Sequence, residues 1–230
     1  MLASLYAAAS TWTLQYPRLH SLLSGVYWRL FVLLALSVCL SANAAASTSP
    51  AAPAAVQVCA ACHGAQGAGN ASGTPRLAGM DPAYLAHSLN SFKNGKRPSN
   101  IMQPIARTLS DADIDALAKY FAAQKTPLIV SPQAPSPEMV AAGKAMALHG
   151  DGNGVPACFS CHAMNGRGNG VRYPGIASQP ETYLVNRLHE FQARARAGTP
   201  KPGSMTEVAS KLTEAEIDDV AAYLSVIPPK

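Results

Sequence analysis

The sequence predicts an all-α protein built from two tandem copies of one small helical domain. Two observations carry that expectation: the chain aligns with itself, and its apolar residues recur at helical spacing with no alternating strand pattern. An offset of 99 residues superimposes Cys59 on Cys158, His63 on His162, Pro75 on Pro174, Tyr84 on Tyr183, Phe92 on Phe191 and Arg97 on Arg196. Further on the offset becomes 103 and pairs Met102 with Met205, Leu109 with Leu212, Ile114 with Ile217, Ala118 with Ala221 and Tyr120 with Tyr223. The second copy therefore carries an insertion of four residues, placed in the Gly198–Ser204 stretch, where Gly, Pro and Lys signal an irregular loop. A chain of 230 residues with 48% hydrophobic and 13% charged residues suits one or two globular domains and excludes a disordered chain.

Residues 1–44 read as an export leader. Arg18 and Arg29 precede the apolar run Leu30–Leu40, and Ala42-Asn43-Ala44 supplies the small residues of a cleavage site near Ala44. The run is shorter than the roughly 20 residues of a membrane span. The expectation is a periplasmic protein with the signal peptide removed, membrane-anchored and membrane-associated only if the leader is retained. Removal takes Cys39 with it and leaves four cysteines, all in the two motifs described below and none spare for a disulfide. It also removes two of the 18 basic residues and none of the 13 acidic ones, leaving +3. The pI of 9.0 thus overstates the charge a partner meets, and nucleic acid is not an expected partner.

The first domain is expected over 45–125 and the second over 137–230. Between them lies a linker, 126–136, made stiff by Pro127, Pro132 and Pro135. Each domain should close on a capped helix: Ser110 with Asp113, and Thr213 with Glu216, have capping-box spacing. Ile114, Leu117, Ala118 and Phe121 share one helical face, as do Ile217, Val220, Ala221 and Leu224. An opening helix is legible from Pro137 to about Leu148. Its first-domain counterpart, interrupted by Pro50 and Pro53, should be truncated.

Chemistry resides in Cys59-Ala-Ala-Cys62-His63 and Cys158-Phe-Ser-Cys161-His162. Two thiols on one helical turn can bond the two vinyl groups of a haem while the adjacent histidine reaches the iron. A dithiol redox centre would not require a histidine after both motifs. Two covalent c-type haems are therefore the expected cofactors, with His63 and His162 as iron ligands. Met102 and Met205, 39 and 43 residues beyond those histidines, are the candidate sixth ligands because they share a repeat position. Met80, Met139, Met146 and Met164 are read as packing residues. Pro75 and Pro174 each lie twelve residues beyond their histidine and are candidates to accept its second ring N–H through the backbone carbonyl. Arg97 and Arg196 are candidates for haem propionates. His87, His149 and His189 have no repeat partners and are assigned solvent-facing or capping roles. His/Met ligation fills both axial positions and favours an electron carrier over an enzyme.

These residues resemble the class I cytochromes c, and most closely the periplasmic two-domain cytochrome c4 family, over about Val56–Ile227. The resemblance rests on the paired motifs, on Pro75-Arg76-Leu77-Ala78-Gly79, on Met102 through Leu117-Ala118-Lys119-Tyr120-Phe121, and on the second-domain equivalents. It implies two haem domains in a pseudo-twofold arrangement, delivering electrons toward a terminal oxidase. Protein redox partners are expected, with a quinol-oxidising complex or a dehydrogenase as donor. The alternatives are a haem enzyme, such as a thiosulfate dehydrogenase or peroxidase, and the cytochrome subunit of a dehydrogenase complex. The sequence departs from the family in its short first opening helix and in Gly175, which stands where the first copy has Arg76.

Overall fold

The chain folds by repeating one sequence of helices, and five of the nine described α-helices start on a side-chain cap. A computed structural model describes residues 53–129 and 131–228. The expected leader and Pro50 lie outside the described residues, whereas Pro53 is described, three residues before α1 and outside any helix. In the first domain α1 spans Val56–His63, α2 Pro82–Lys93, α3 Met102–Arg107 and α4 Asp111–Ala123. The second domain contains α5 Pro137–His149, α6 Cys158–His162, α7 Glu181–Arg196, α8 Met205–Ser210 and α9 Glu214–Val226. Among the described residues the only bridge is an isolated one between Asn169 and Tyr173.

Local chemistry explains the boundaries. The Asp81 side chain accepts the Tyr84 N–H and Pro82 occupies the first turn of α2, where its missing N–H costs nothing. Ser136 and Pro137 start α5 in the same way. Both expected capping boxes form, Ser110 with Asp113 at α4 and Thr213 with Glu216 at α9. Gly64 ends α1 with φ of 80°, a left-handed conformation that an L side chain disfavours, while its N–H caps the Ala60 carbonyl.

The two apolar stripes build the two cores. Ile114, Leu117, Ala118 and Phe121 of α4 are buried with Val56, Met80, Leu85 and Leu109. Ile217 and Val220 of α9 are buried with Met146, Val155 and Leu212, and Ala221 and Leu224 with Leu184. Helix α5 crosses α9 at Gly143, where an added Cβ would lie 1.9 Å from the Asp219 carbonyl oxygen. Only glycine permits that approach.

The domains meet through side chains far apart in sequence. Gln179 of the second domain accepts the Arg76 N–H and donates to the Arg76 carbonyl, both at 3.0 Å. The Arg76 guanidinium is buried and donates to the carbonyls of Ala78, Thr126 and Pro127, pinning the chain where it leaves the first domain. The Arg97 guanidinium donates to the Tyr183 hydroxyl at 3.3 Å, and the Thr182 hydroxyl to the Ala71 carbonyl.

Candidate haem sites

Each Cys-x-x-Cys-His motif is carried on a short helix, α1 or α6, which leaves the second thiol exposed and turns the histidine inward. Cys59 and Cys158 are half-buried, Cys62 and Cys161 exposed, and all four are unpaired thiols. Burial pushes the Cys158 thiol up to about 11 and raises that of Cys59. His63 and His162 are buried, 7% and 5% exposed. Desolvation lowers the pKa of both rings against the opposing pull of a proline carbonyl, so each ring is neutral.

The tautomer follows from the partners. His63 Nδ1 lies 2.9 Å from the Pro75 carbonyl oxygen and His162 Nδ1 2.7 Å from that of Pro174. A carbonyl only accepts, so Nδ1 carries the proton and Nε2 keeps its lone pair. That nitrogen is left to ligate a metal.

Beside the second motif lies a cavity of about 600 Å³. Cys158, Cys161, His162 and Met205 all line it, so the thiols, an imidazole and a thioether share one space. Apolar walls come from Leu184, Leu188, Val208 and Val220, whereas Lys96, Arg97, Arg172, Arg187 and Lys201 supply positive charge and no carboxylate residue lines it. Apolar walls, cationic margins and soft sulfur and nitrogen donors fit a flat macrocycle bearing two carboxylates and an iron.

Ser204 caps α8 and so places Met205 at its first position. Met102 likewise holds the first position of α3, but there the N-cap is Ile101, which offers no side-chain cap; the Met102 N–H donates to the Ser99 hydroxyl at 3.0 Å, and its side chain is half-buried. The arginine pair diverges. Arg97 lies over the Phe92 ring and reaches the cavity of the second domain, while Arg196 is exposed at the end of α7, away from that cavity. Helix length separates them: α2 ends at Lys93 and leaves Arg97 in the following loop, whereas α7 runs on through Arg196. Of the spare histidines, His87 lines the cavity from the first domain and His189 pairs with Glu214. Gln179 carried no signal in the sequence beyond standing where the first repeat has Met80.

Residues 48–121 match the family described as cytochrome c oxidase, cbb3-type, subunit III, and residues 140–227 match the family described as cytochrome c. Both copies are thus c-type cytochrome domains, and the protein holds two covalently attached haems through Cys59 and Cys62 and through Cys158 and Cys161. A thiosulfate dehydrogenase electron acceptor from Thiomonas intermedia is 37% identical over 72% of this chain and 76% of its own. Cytochrome c4 of Pseudomonas aeruginosa is 34% identical over 70% and 80%. The crystal structure of reduced recombinant cytochrome c4 from Pseudomonas stutzeri superposes with a TM-score of 0.67 at 31% identity, over 75% of this chain and 94% of that one. The chain belongs to the diheme cytochrome c4 family and is an electron-transfer protein.

Proposed function

We propose that the mature chain, residues 45–230, is a periplasmic carrier whose haem irons are held by His63 and Met102 in the first domain and by His162 and Met205 in the second. The leader is residues 1–44, and residues 126–136 link domains 45–125 and 137–230. One observation carries the ligand assignment: His162, with Nδ1 committed to Pro174, and Met205 line one cavity. The repeat extends it to His63 and Met102.

A haem supplies the one-electron couple. The chain's residues do the rest. Cys59, Cys62, Cys158 and Cys161 would retain it through thioether links, the Pro75 and Pro174 carbonyls hold the imidazole tautomer, and Met102 and Met205 would supply the second ligand to each iron, which would let its oxidation state change with little rearrangement. The apolar walls keep water out. Among the described residues no helix is long and apolar enough to cross a membrane.

The donor is a quinol-oxidising complex or a dehydrogenase, and the acceptor a terminal oxidase. Likeness to a thiosulfate dehydrogenase electron acceptor favours a sulfur-oxidising dehydrogenase as donor, in transient contact or as a stable complex. A haem enzyme would need an iron open to substrate, which ligation by Met102 and Met205 would prevent. Met205→Ala tests the assignment: both haems stay attached, one binds carbon monoxide or cyanide rapidly, and about half the methionine-to-iron charge-transfer absorbance disappears. Two haems equally inert to both ligands would overturn it.

A further inference from the structure

The peptide unit joining Pro75 to Arg76 is hydrogen-bonded at both ends. Its carbonyl accepts from His63 Nδ1, and its N–H, which belongs to Arg76, donates to Gln179 Oε1 of the other domain. The orientation of the Gln179 amide is forced, because the second bond runs from its Nε2 to the Arg76 carbonyl, which can only accept. Gln179 is 3% exposed and Arg76 4%, so water does not compete for these bonds.

Resting on the ligand assignment above, we infer that Gln179 is a positioning residue for the first-domain haem, acting across the domain interface through a single peptide on the histidine that ligates its iron. The physical route is short. An acceptor on the N–H polarises the peptide and makes the Pro75 oxygen more negative. A more negative oxygen holds the His63 Nδ1 proton more strongly and makes Nε2 a better donor. A better donor stabilises the oxidised iron and lowers the potential.

The matching place in the second domain is built differently. Pro174 and Gly175 form the equivalent peptide, with Pro174 bound to His162. The residue equivalent to Gln179 is Met80, whose sulfur would lie 3.6 Å from a Cβ at Gly175. A thioether is a weak acceptor, and this one already takes a contact from Gln179 Nε2 at 3.4 Å. The pseudo-symmetry thus brings positions 80 and 179 together but gives a strong acceptor to one haem's histidine only.

The test uses the holoprotein, its two midpoint potentials measured by spectroelectrochemistry and assigned to domains by haem-methyl resonances of the oxidised form. Gln179→Met, which keeps side-chain length, should shift the first-domain potential upward by more than the second, whose cavity Gln179 also lines. Met80→Gln should shift the second-domain potential downward, by offering the Gly175 N–H an amide acceptor. Hydrodynamic radius reports whether the domains stay docked. An unchanged first-domain potential in a docked Gln179→Met variant overturns the inference, as does an equal shift of both haems. If that variant undocks, an unmoved second-domain potential in Met80→Gln overturns it instead. Failure of the ligand assignment is separable, because the wild-type oxidised spectrum would then lack the His/Met signature.

Discussion

At the scale of single residues, the two copies differ most at Arg76 and Gly175. A buried guanidinium with no ion-pair partner among the described residues is tolerable here because the carbonyls of Ala78, Thr126 and Pro127 accept hydrogen bonds from its N–H groups. Arg76→Met would keep the bulk and orphan those carbonyls, and should lower unfolding free energy by about 2–4 kcal/mol in denaturant titrations of the holoprotein. A variant as stable as the parent would show that water reaches these groups. The twelve-residue interval from each histidine to its proline is plain in the sequence, and the structure sets a hydrogen bond across it. Gln179 was invisible for a physical reason: its partner is 103 residues away, and a lone glutamine carries no periodic or spacing signal.

At the scale of elements, what is written locally was readable and what depends on close approach was not. The capping boxes of α4 and α9 and the start of α5 are set by neighbouring residues, so spacing alone located them. The crossing of α5 on α9 depends on the missing Cβ of Gly143, and no pattern distinguishes that glycine from one in a turn. Gly143→Ala should destabilise the second domain by about 1–3 kcal/mol as the helices separate. The loss should appear in that domain's haem absorbance first during thermal unfolding. The carboxylates of the loops and caps respond to pH. Hydrogen bonds from Ser110 hold the Asp113 carboxyl below its ordinary value, and the Val155 N–H does the same for Asp151. A carboxyl lowered by folding contributes stability that is complete above its unfolded pKa and is lost as pH falls through the lower folded one. The unfolding free energy from denaturant titration should therefore be flat from neutrality down to about pH 4 and decline below it. Asp151→Asn should shrink that decline.

At the scale of the whole molecule, net charge conceals how charge is arranged. With the leader removed the chain carries +3, and four haem propionates would bring it close to neutral. Yet Lys96, Arg97, Arg172, Arg187, Arg194 and Lys201 all border one cavity, while the acidic residues Glu214, Glu216, Asp218 and Asp219 cluster at the start of α9. Arg187 and Arg194 share Glu190 as an ion-pair partner. The remaining four have no carboxylate partner among the described residues, and one haem's propionates offset only part of their charge. An anionic reactant approaching this margin is accordingly drawn toward the second haem, and salt screens the attraction over a Debye length of about 10 Å at 0.1 M. Oxidation of the reduced protein by ferricyanide should slow severalfold, about three to ten times, as ionic strength rises from low to physiological values. Lys201→Glu and Arg172→Glu should flatten that dependence, whereas Lys144→Glu, exposed on α5 and away from the cavity, should leave its slope nearly intact. Equal effects from all three variants would mean that only total charge matters, and that the cationic margin does not direct the approach.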